Sequence, residues 1–175
     1  MKKLPIYFSI DFEDFFFDTC RAIGHTCPKT RNAAIDKSYF LIKNICKKYL
    51  GNKKMTFFVT GILAQQYPEI VKQIHRDGHE IGCHYYYHDV ISDTNKKNLS
   101  RNLDKAIEII SNLTGEKPAG FRAPFFGINE NDYWAYEEIS KRFKYDSSFK
   151  TSKPYSKVSS EMKRNNIHKL KEIYI

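Results

Sequence analysis

Residues 55–61 read Met-Thr-Phe-Phe-Val-Thr-Gly, a short run of apolar and β-branched residues that ends in a glycine. This composition over this length predicts a buried strand. A second strand is predicted from His79 to Cys83, and the residues between them fit a helix over 62–74. A strand, a helix and a strand in this order predict two parallel strands joined by a helical crossover.

The same alternation extends in both directions along the chain. Residues 4–12 predict a first strand, and the stretch that follows it is interpreted as a polar loop. Apolar residues recur at helical spacing from Ile35 to Tyr49, and Gly51 is placed to end that helix. The remaining predictions are a helix over 99–113, a strand over 119–122, a helix over 133–143 and a strand over 145–148. Regular alternation predicts an α/β fold of parallel strands with helices packed outside, as an open sheet or a barrel.

Composition and length limit the class of protein. The chain has 175 residues, of which 41% are hydrophobic and 15% aromatic, so we expect one domain with its own core rather than a disordered chain. No apolar run is long enough to predict a membrane-spanning helix. The first ten residues lack the features of a signal peptide, so a cytoplasmic location is expected. The four cysteines form no Cys-x-x-Cys pair, which favours free thiols.

Net charge gives a weaker indication about partners. The formal charge is +9, with lysine and arginine spread along the whole chain. A basic protein favours anionic partners such as nucleic acid, a lipid surface or an acidic glycan. Because the sequence contains no recognised nucleic-acid motif, we expect no nucleic-acid partner and keep peripheral contact with a membrane surface as a prediction.

Polar residues follow three of the predicted strands. Residues 11–14 (Asp-Phe-Glu-Asp) follow the first strand, residues 84–89 follow the strand that ends at Cys83, and residues 122–125 follow the strand that begins at Ala119. In parallel α/β folds, ligands bind where the carboxyl ends of strands meet. Taken alone, an acidic cluster of this kind is often a helix cap, and a histidine pair is often a surface feature. Together, the three groups predict one site.

The residue types in these groups indicate a metal-assisted hydrolysis. Two imidazoles and one or two carboxylates make a three-ligand site that leaves positions open for water. A bound divalent cation polarises a carbonyl and lowers the pKa of its water. A further carboxylate can take the proton from that water, and an arginine can orient this base. The histidines are not in the His-Glu-x-x-His arrangement, which argues against a zinc protease of that type.

These motifs resemble those of the polysaccharide deacetylase family, the NodB-homology group of carbohydrate esterases, over about residues 4–150. Residues 9–14 resemble the family's first acidic motif, and residues 54–61 are similar to its second strand. Residues 78–88 resemble its pattern Gly-His-Glu-Ile-Gly-x-His-(Ser/Thr)-x-x-His, and residues 121–125 resemble its Arg-x-Pro motif.

The resemblance implies a deformed (β/α) barrel and an N-deacetylase activity that depends on a divalent cation, with zinc the expected ion. It implies that His84 and His88 bind the metal. The acidic motif would supply the third ligand and the catalytic base, with Asp14 preferred as ligand and Asp11 and Glu13 as alternatives for the base. Some members carry Asp-x-Asp instead, an arrangement that would make Asp11 the base and Glu13 a ligand.

Further site residues follow from the same resemblance. Arg122 would orient the base, so that Asp11, Glu13 and Arg122 form the catalytic group. Pro124 and Phe125 would line the substrate groove. Tyr85 stands where the family usually has serine or threonine, and we assign it to substrate binding.

The chain departs from the family near its C-terminal end. The family supplies a late histidine as general acid, and His168, the only histidine after Arg122, does not match that motif. We therefore expect a deacetylase domain over residues 1–150, with residues 151–175 a basic tail or the start of a further part. The barrel is expected to be incomplete at its C-terminal end, where an oligomer could cover the open edge.

The function expected from these observations is removal of N-acetyl groups from a sugar or polysaccharide intermediate. Candidate substrates are an N-acetylated glycan or a lipid- or nucleotide-linked sugar. Two alternatives remain: a catalytically impaired relative that binds metal or glycan, and a hydrolase of a small cyclic amide.

Overall fold

The computed structural model describes residues 7–26, 32–51, 53–129, 132–148 and 171–172. Within these residues six strands form one sheet in which every neighbouring pair is parallel. The strands are β1 (Ser9–Phe12), β2 (Thr56–Val59), β3 (Glu80–Cys83), β4 (Gly120–Phe121), β5 (Tyr145–Asp146) and β6 (Lys171–Glu172).

The order of the strands in the sheet is the order of the strands in the chain. A doubly wound sheet reverses its order at a switch point, whereas a (β/α) barrel adds each new strand beside the last. The sequential order is therefore that of a barrel. The sheet is open between β1 and β6 in the described residues. This confirms the expected α/β class with a parallel sheet.

Six helices connect or flank the strands, together with two short 3-10 turns over Ile91–Asp93 and Pro124–Phe126. The helices are α1 (Phe15–Ala22), α2 (Asn32–Leu50), α3 (Gly61–Gln66), α4 (Pro68–Arg76), α5 (Lys96–Thr114) and α6 (Tyr133–Ser140). None of the helices among the described residues has the length and apolar character needed to cross a membrane.

Three sequence predictions about helices are corrected. The stretch interpreted as a polar loop after β1 contains α1. The single helix predicted over 62–74 is divided into α3 and α4, because Pro68 lacks an amide hydrogen and so begins a new helix. On α2, Tyr39 and Cys46 are buried as predicted, whereas Tyr49 is 69% exposed.

The core forms around β2 and α5. Phe57, Phe58 and Val59 in β2 are fully buried, as expected for a central strand covered on both faces. The helix α5 buries four residues at helical spacing, namely Leu99, Leu103, Ala106 and Ile110. These residues belong to the same apolar cluster as those of β2 and β3, so the core holds the central strands in fixed positions.

A close approach at Gly61 ties the core to the loop after β3. A Cβ atom at Gly61 would lie 2.6 Å from the Tyr86 ring and 2.9 Å from the Cβ atom of Ala106. The amides of Gly61 and Ile62, in the first turn of α3, donate hydrogen bonds to the carbonyl oxygens of Tyr85 and Tyr86. The absence of a side chain at Gly61 therefore allows α3 to hold the loop that begins at residue 84.

The predictions on cysteines and domain boundaries have different outcomes. Cys20, Cys46 and Cys83 are free thiols, as expected, and Cys27 lies outside the described residues. The boundary predicted at residue 150 also lies outside them, and it stays a prediction.

Candidate metal centre

Residues from three strand ends meet at one edge of the sheet, as the sequence predicts. Glu13 directly follows β1, His84 directly follows β3 and Arg122 directly follows β4. The amide of His84 donates to the carbonyl oxygen of Val59, and the amide of Arg122 donates to that of Cys83. These bonds continue the parallel ladder past β3 and β4 and place His84 and Arg122 side by side.

Glu13, His84 and His88 form a compact group of possible metal ligands. One atom from each side chain lies within 4.8 Å of the others. Oε2 of Glu13 is 2.6 Å from Nε2 of His88 and 3.5 Å from Nε2 of His84. Burial alone raises the pKa of Glu13, but the two imidazoles outweigh burial and hold that pKa at about 2. The carboxylate is therefore ionised at neutral pH.

The chemistry of this group fits a divalent cation. Oε2 of Glu13 is buried and accepts no hydrogen bond of normal geometry from any described residue. Nδ1 of His84 lies 2.7 Å from the carbonyl oxygen of Arg122, and because a carbonyl can only accept, Nδ1 carries the hydrogen. In the neutral ring, Nε2 then presents a lone pair towards Glu13. A histidine whose other nitrogen donates to a carbonyl is the usual form of a metal ligand.

Arg122 and Asp11 form a pair beside this group. Nη1 of Arg122 donates to Oδ1 of Asp11 at 2.7 Å, and Oδ2 of Asp11 is 4.0 Å from Nε2 of His84. Arg122 is 4% exposed, and its Nη2 also donates to the hydroxyls of Ser9 and Ser147, at 2.8 Å each. The guanidinium is thus fixed on several sides and holds Asp11 on the side of His84, while its role in orienting a base stays a prediction.

Asp14, the predicted carboxylate ligand, is not a member of this group. Oδ1 of Asp14 accepts hydrogen bonds from the amides of Phe16 and Phe17, and Oδ2 accepts one from the hydroxyl of Tyr67, all at 3.1 Å. Asp14 therefore caps the first turn of α1, a role that occupies both of its oxygens. Glu13 thus stands where Asp14 was preferred, and Asp11 is the carboxylate that Arg122 holds, which is the arrangement of the alternative with Asp11 as base and Glu13 as ligand. The ligand and base roles themselves stay predictions.

The three residues predicted to bind substrate have different surroundings. Tyr85 is 1% exposed, and its hydroxyl accepts a hydrogen bond from Asn102, so it packs in the core and is not available to substrate. Pro124 is buried and begins the 3-10 turn that contains Phe125. Phe125 is 58% exposed, and its ring centre lies 4.2 Å from that of His88. Of the three, Phe125 alone offers an open surface beside the candidate ligands.

The sequence analysis missed α1 and the polar residues on it. Arg21 forms an ion pair with Asp89, and its guanidinium lies 4.8 Å from the centre of the Tyr87 ring. Both carboxylate oxygens of Asp18 are buried and accept no hydrogen bond from the described residues. The spacing of Asp14, Asp18 and Arg21, at steps of four and three, is the signal that could have shown a polar helix face here.

Comparisons with known proteins place this chain among its relatives. The sequence profile of the polysaccharide deacetylase family matches residues 35–144. A peptidoglycan-N-acetylglucosamine deacetylase of Bacillus cereus is 39% identical over 100 residues, which are 57% of this chain and 36% of that protein. The Bacillus subtilis peptidoglycan-N-acetylmuramic acid deacetylase PdaC is 31% identical over 103 residues, 59% of this chain and 20% of that protein.

A solved structure of a related protein has a similar fold. A Mycobacterium smegmatis protein described as a polysaccharide deacetylase superposes with a TM-score of 0.64 at 25% identity, over 82% of this chain and 50% of that one. The chain thus spans about half of that structure and about a third or less of the two curated relatives. The family profile covers more than half of the chain, including the segment with both histidines and Arg122, and the chain therefore belongs to the polysaccharide deacetylase family.

Proposed function

We propose that this chain carries the active site of a metal-dependent deacetylase that hydrolyses N-acetyl groups on a glycan. The observation that carries the proposal is the group formed by Glu13, His84 and His88, with the Arg122–Asp11 pair beside it. A three-ligand site next to an oriented carboxylate is the arrangement required to activate water and take its proton.

Glu13, His84 and His88 would hold the cation. Two imidazoles and a carboxylate are the ligands of many catalytic zinc sites, and zinc is therefore the expected ion. When bound, the cation polarises the acetamide carbonyl and brings the pKa of its water towards neutrality. The hydrogen bond from Nδ1 of His84 to the carbonyl of Arg122 holds that imidazole in the orientation in which Nε2 binds.

Asp11 is the proposed base. Arg122 occupies Oδ1 of Asp11, which leaves Oδ2 to accept the proton of the attacking water on the side that faces His84. Because the guanidinium is itself bonded to Ser9 and Ser147, it keeps the carboxylate in one position. Proton transfer to a base placed in this way contributes about 10²–10⁴-fold to a hydrolysis.

The proposed substrate is an N-acetylated amino sugar in a polymer or its precursor. The exposed ring of Phe125, next to His88, offers an apolar face on which a sugar ring could stack. The two curated relatives are deacetylases of N-acetylglucosamine and N-acetylmuramic acid in peptidoglycan. A lipid- or nucleotide-linked precursor is a second candidate substrate, because the net charge of +9 suits the phosphates of such a precursor.

The test of the proposal compares Glu13, which faces the two histidines, with its neighbour Asp14, which caps α1. We expect wild-type protein to retain about one equivalent of metal after dialysis. It should also release acetate from N-acetylglucosamine oligomers or peptidoglycan fragments. Glu13→Gln should lose metal and activity together, whereas Asp14→Asn, which keeps a capping side chain, should retain both. Metal bound equally well by Glu13→Gln would contradict the proposed ligand set.

A metal- or glycan-binding protein without catalysis is the second candidate. The family supplies a late histidine as general acid. In this sequence His168 is the single histidine after Arg122, it does not match that motif, and it lies outside the described residues. Bound metal in wild-type protein, with no acetate released from any of these substrates, would favour this candidate.

Contact with an anionic membrane surface stays a prediction, and α2 supports it. Four large apolar side chains on this helix are exposed, namely Phe40, Leu41, Ile45 and Tyr49. Lys37, Lys47 and Lys48 are exposed on the same helix. Apolar residues flanked by lysines are typical of helices that lie on lipid surfaces. Co-sedimentation with anionic but not zwitterionic vesicles, lost in Leu41→Ser/Ile45→Ser, is the expected result.

A further inference from the structure

The helix α1 lies against the segment that carries the second histidine. Arg21, near the end of α1, contacts both neighbours of His88, through an ion pair with Asp89 and through the ring of Tyr87 at 4.8 Å. Glu13, just before α1, lies 2.6 Å from Nε2 of His88. The chain therefore contacts His88 itself just before α1 and contacts the two neighbours of His88 near the end of α1.

Asp18 lies on the same face of α1, between these two contacts. It follows Asp14 by four residues and precedes Arg21 by three, and residues at such spacing are neighbours on a helix surface. The amide of Asp18 donates to the carbonyl of Asp14, so the first turn is regular at this point. Among the charged groups, His88 and Arg21 lower the pKa of Asp18 most, so its carboxylate lies on the side of α1 that faces the segment with His88.

The carboxylate of Asp18 is buried without a hydrogen-bond partner in the described part of the chain. Both of its oxygens are inaccessible to solvent, and neither accepts a hydrogen bond there. Burial raises the pKa of Asp18 to about 6, and the charge that most opposes this rise is that of His88, ahead of Arg21. A buried carboxylate is normally hydrogen-bonded, so an unpartnered one calls for a physical explanation.

The two candidate histidine ligands differ in how their second nitrogen is held. Nδ1 of His84 is fixed by the carbonyl of Arg122, as a metal ligand requires. Nε2 of His88 lies 2.6 Å from Oε2 of Glu13, and its ring has no contact to a backbone carbonyl like the one that holds His84 among the hydrogen bonds of the described residues. When Nε2 of His88 binds a cation, the hydrogen of the neutral ring is on Nδ1, which then requires an acceptor. The carboxylate of Asp18 is an acceptor without a partner among the described residues, and Arg21 on the same helix is paired with Asp89, next to His88.

We propose that Asp18 is the outer carboxylate of the metal centre, which accepts the Nδ1 hydrogen of His88 and fixes that ring with Nε2 towards the cation. The inference rests on the proposed metal binding by Glu13, His84 and His88. Asp18 touches neither substrate nor metal, and it acts as a positioning residue through His88. The family profile begins at residue 35, so it assigns no role to α1.

The test compares two substitutions that each remove one negative charge. Asp18→Asn keeps the size of the side chain, and Asp93→Asn makes the same change at an exposed position in the turn after His88. The first measurement is the dissociation constant for Zn²⁺ and Co²⁺, by competition with a chromophoric chelator. We expect about a 10- to 100-fold weaker affinity in Asp18→Asn and no change in Asp93→Asn.

The second measurement is the thermal midpoint of the metal-free proteins. Because Asp18→Asn removes an unpartnered buried charge, we expect its metal-free midpoint to equal or exceed that of wild type. A lower affinity together with an unchanged or higher midpoint supports the inference, since a merely structural residue would lower both.

Three results would overturn the inference. Wild-type affinity in Asp18→Asn would show that His88 does not depend on Asp18. A parallel loss of affinity and of metal-free stability would assign Asp18 to the fold alone. Unchanged affinity with slower acetate release would place its action on the substrate. If wild-type protein binds no metal, the proposed function itself fails, and that result is distinct from the first three.

Discussion

The candidate site has two halves that are built differently. The strand-end half consists of Asp11, His84 and Arg122, whose polar atoms are bonded to one another and to neighbouring strands. The helix half consists of Asp18, Arg21 and His88. In it the Asp18 carboxylate and Nε of Arg21 are buried without hydrogen-bond partners among the described residues. The difference indicates that hydrogen bonds fix the side chains of the strand-end half, whereas the helix half keeps buried polar atoms without partners among the described residues.

Loss of the central residue of the strand-end half should have the largest effect. Arg122→Met would remove the hydrogen bonds to Asp11, Ser9 and Ser147 and leave their oxygens without a donor. We expect a loss of about 3 kcal/mol in the free energy of unfolding, measured with urea, and no detectable acetate release. Arg101→Met, at an exposed position on α5, is the control and should change neither quantity. A stable Arg122→Met protein would mean that these hydrogen bonds do not hold the strand-end half in place.

Within the acidic motif, substitution of Asp11 should lower activity, whereas substitution of Asp14 should lower stability. Asp11→Asn keeps the size of the side chain but removes the proposed base, so we expect acetate release to fall by about 10²–10⁴-fold with metal still bound. Asp14→Ala removes the cap of α1 and should cost about 1 kcal/mol in the free energy of unfolding. Metal content and urea unfolding, measured on both variants, separate these roles. Similar profiles for the two variants would contradict the assignment.

The helix half should show a pH dependence in the metal-free protein. The pKa of Asp18 is raised by burial from 3.8 to about 6, so the folded state holds this proton to higher pH than the unfolded state does. The stability of the wild-type protein relative to Asp18→Asn should therefore be highest below about pH 4 and decline as pH rises to about 6. Urea unfolding of both proteins at intervals of pH measures this difference. A difference that does not change with pH would mean that Asp18 is not a buried, unpartnered acid.

The smallest effect on activity is expected from the exposed ring of Phe125, which lies beside His88. Phe125→Ala would remove the exposed ring beside His88, and we expect KM for an N-acetylglucosamine oligomer to rise by about 2- to 10-fold, with kcat nearly unchanged. The free energy of unfolding should stay within error because the side chain is already 58% exposed. Phe40→Ala, which is 62% exposed on α2, is the matched control. An equal rise in KM for both variants would remove Phe125 from the substrate surface.

Much of the strand-end half could be predicted from the sequence. The apolar runs of β2 and β3 mark strands, and polar residues directly after a strand lie at a known edge of a parallel sheet. That reasoning was sufficient to bring His84, His88 and Arg122 to one place. The order of the strands follows from the same regular alternation.

The choice between neighbouring carboxylates could not be predicted in the same way. Whether Glu13 or Asp14 faces the histidines depends on where α1 begins, because the residue at the helix start turns its oxygens to the amides of Phe16 and Phe17. Three consecutive phenylalanines after Asp14 give no helical period, so the start of α1 was not visible in the pattern.

The orientation of Tyr85 depends on backbone geometry that its residue type does not reveal. Its φ of +66°, uncommon for a residue with a side chain, turns the ring into the core and towards Asn102. A serine or threonine in the family's motif gives no indication of this turn.

The contact at Gly61 has a consequence for engineering of the proposed metal site. Since the first turn of α3 holds the backbone of Tyr85 and Tyr86, the spacing between α3 and α5 sets where the histidine loop begins. Laboratory evolution towards a larger or smaller ion should therefore select substitutions at Ala106 and Tyr86, around the missing side chain, before it alters the ligands themselves. Libraries built only on ligand positions would overlook the residues that adjust the size of the ion's cavity.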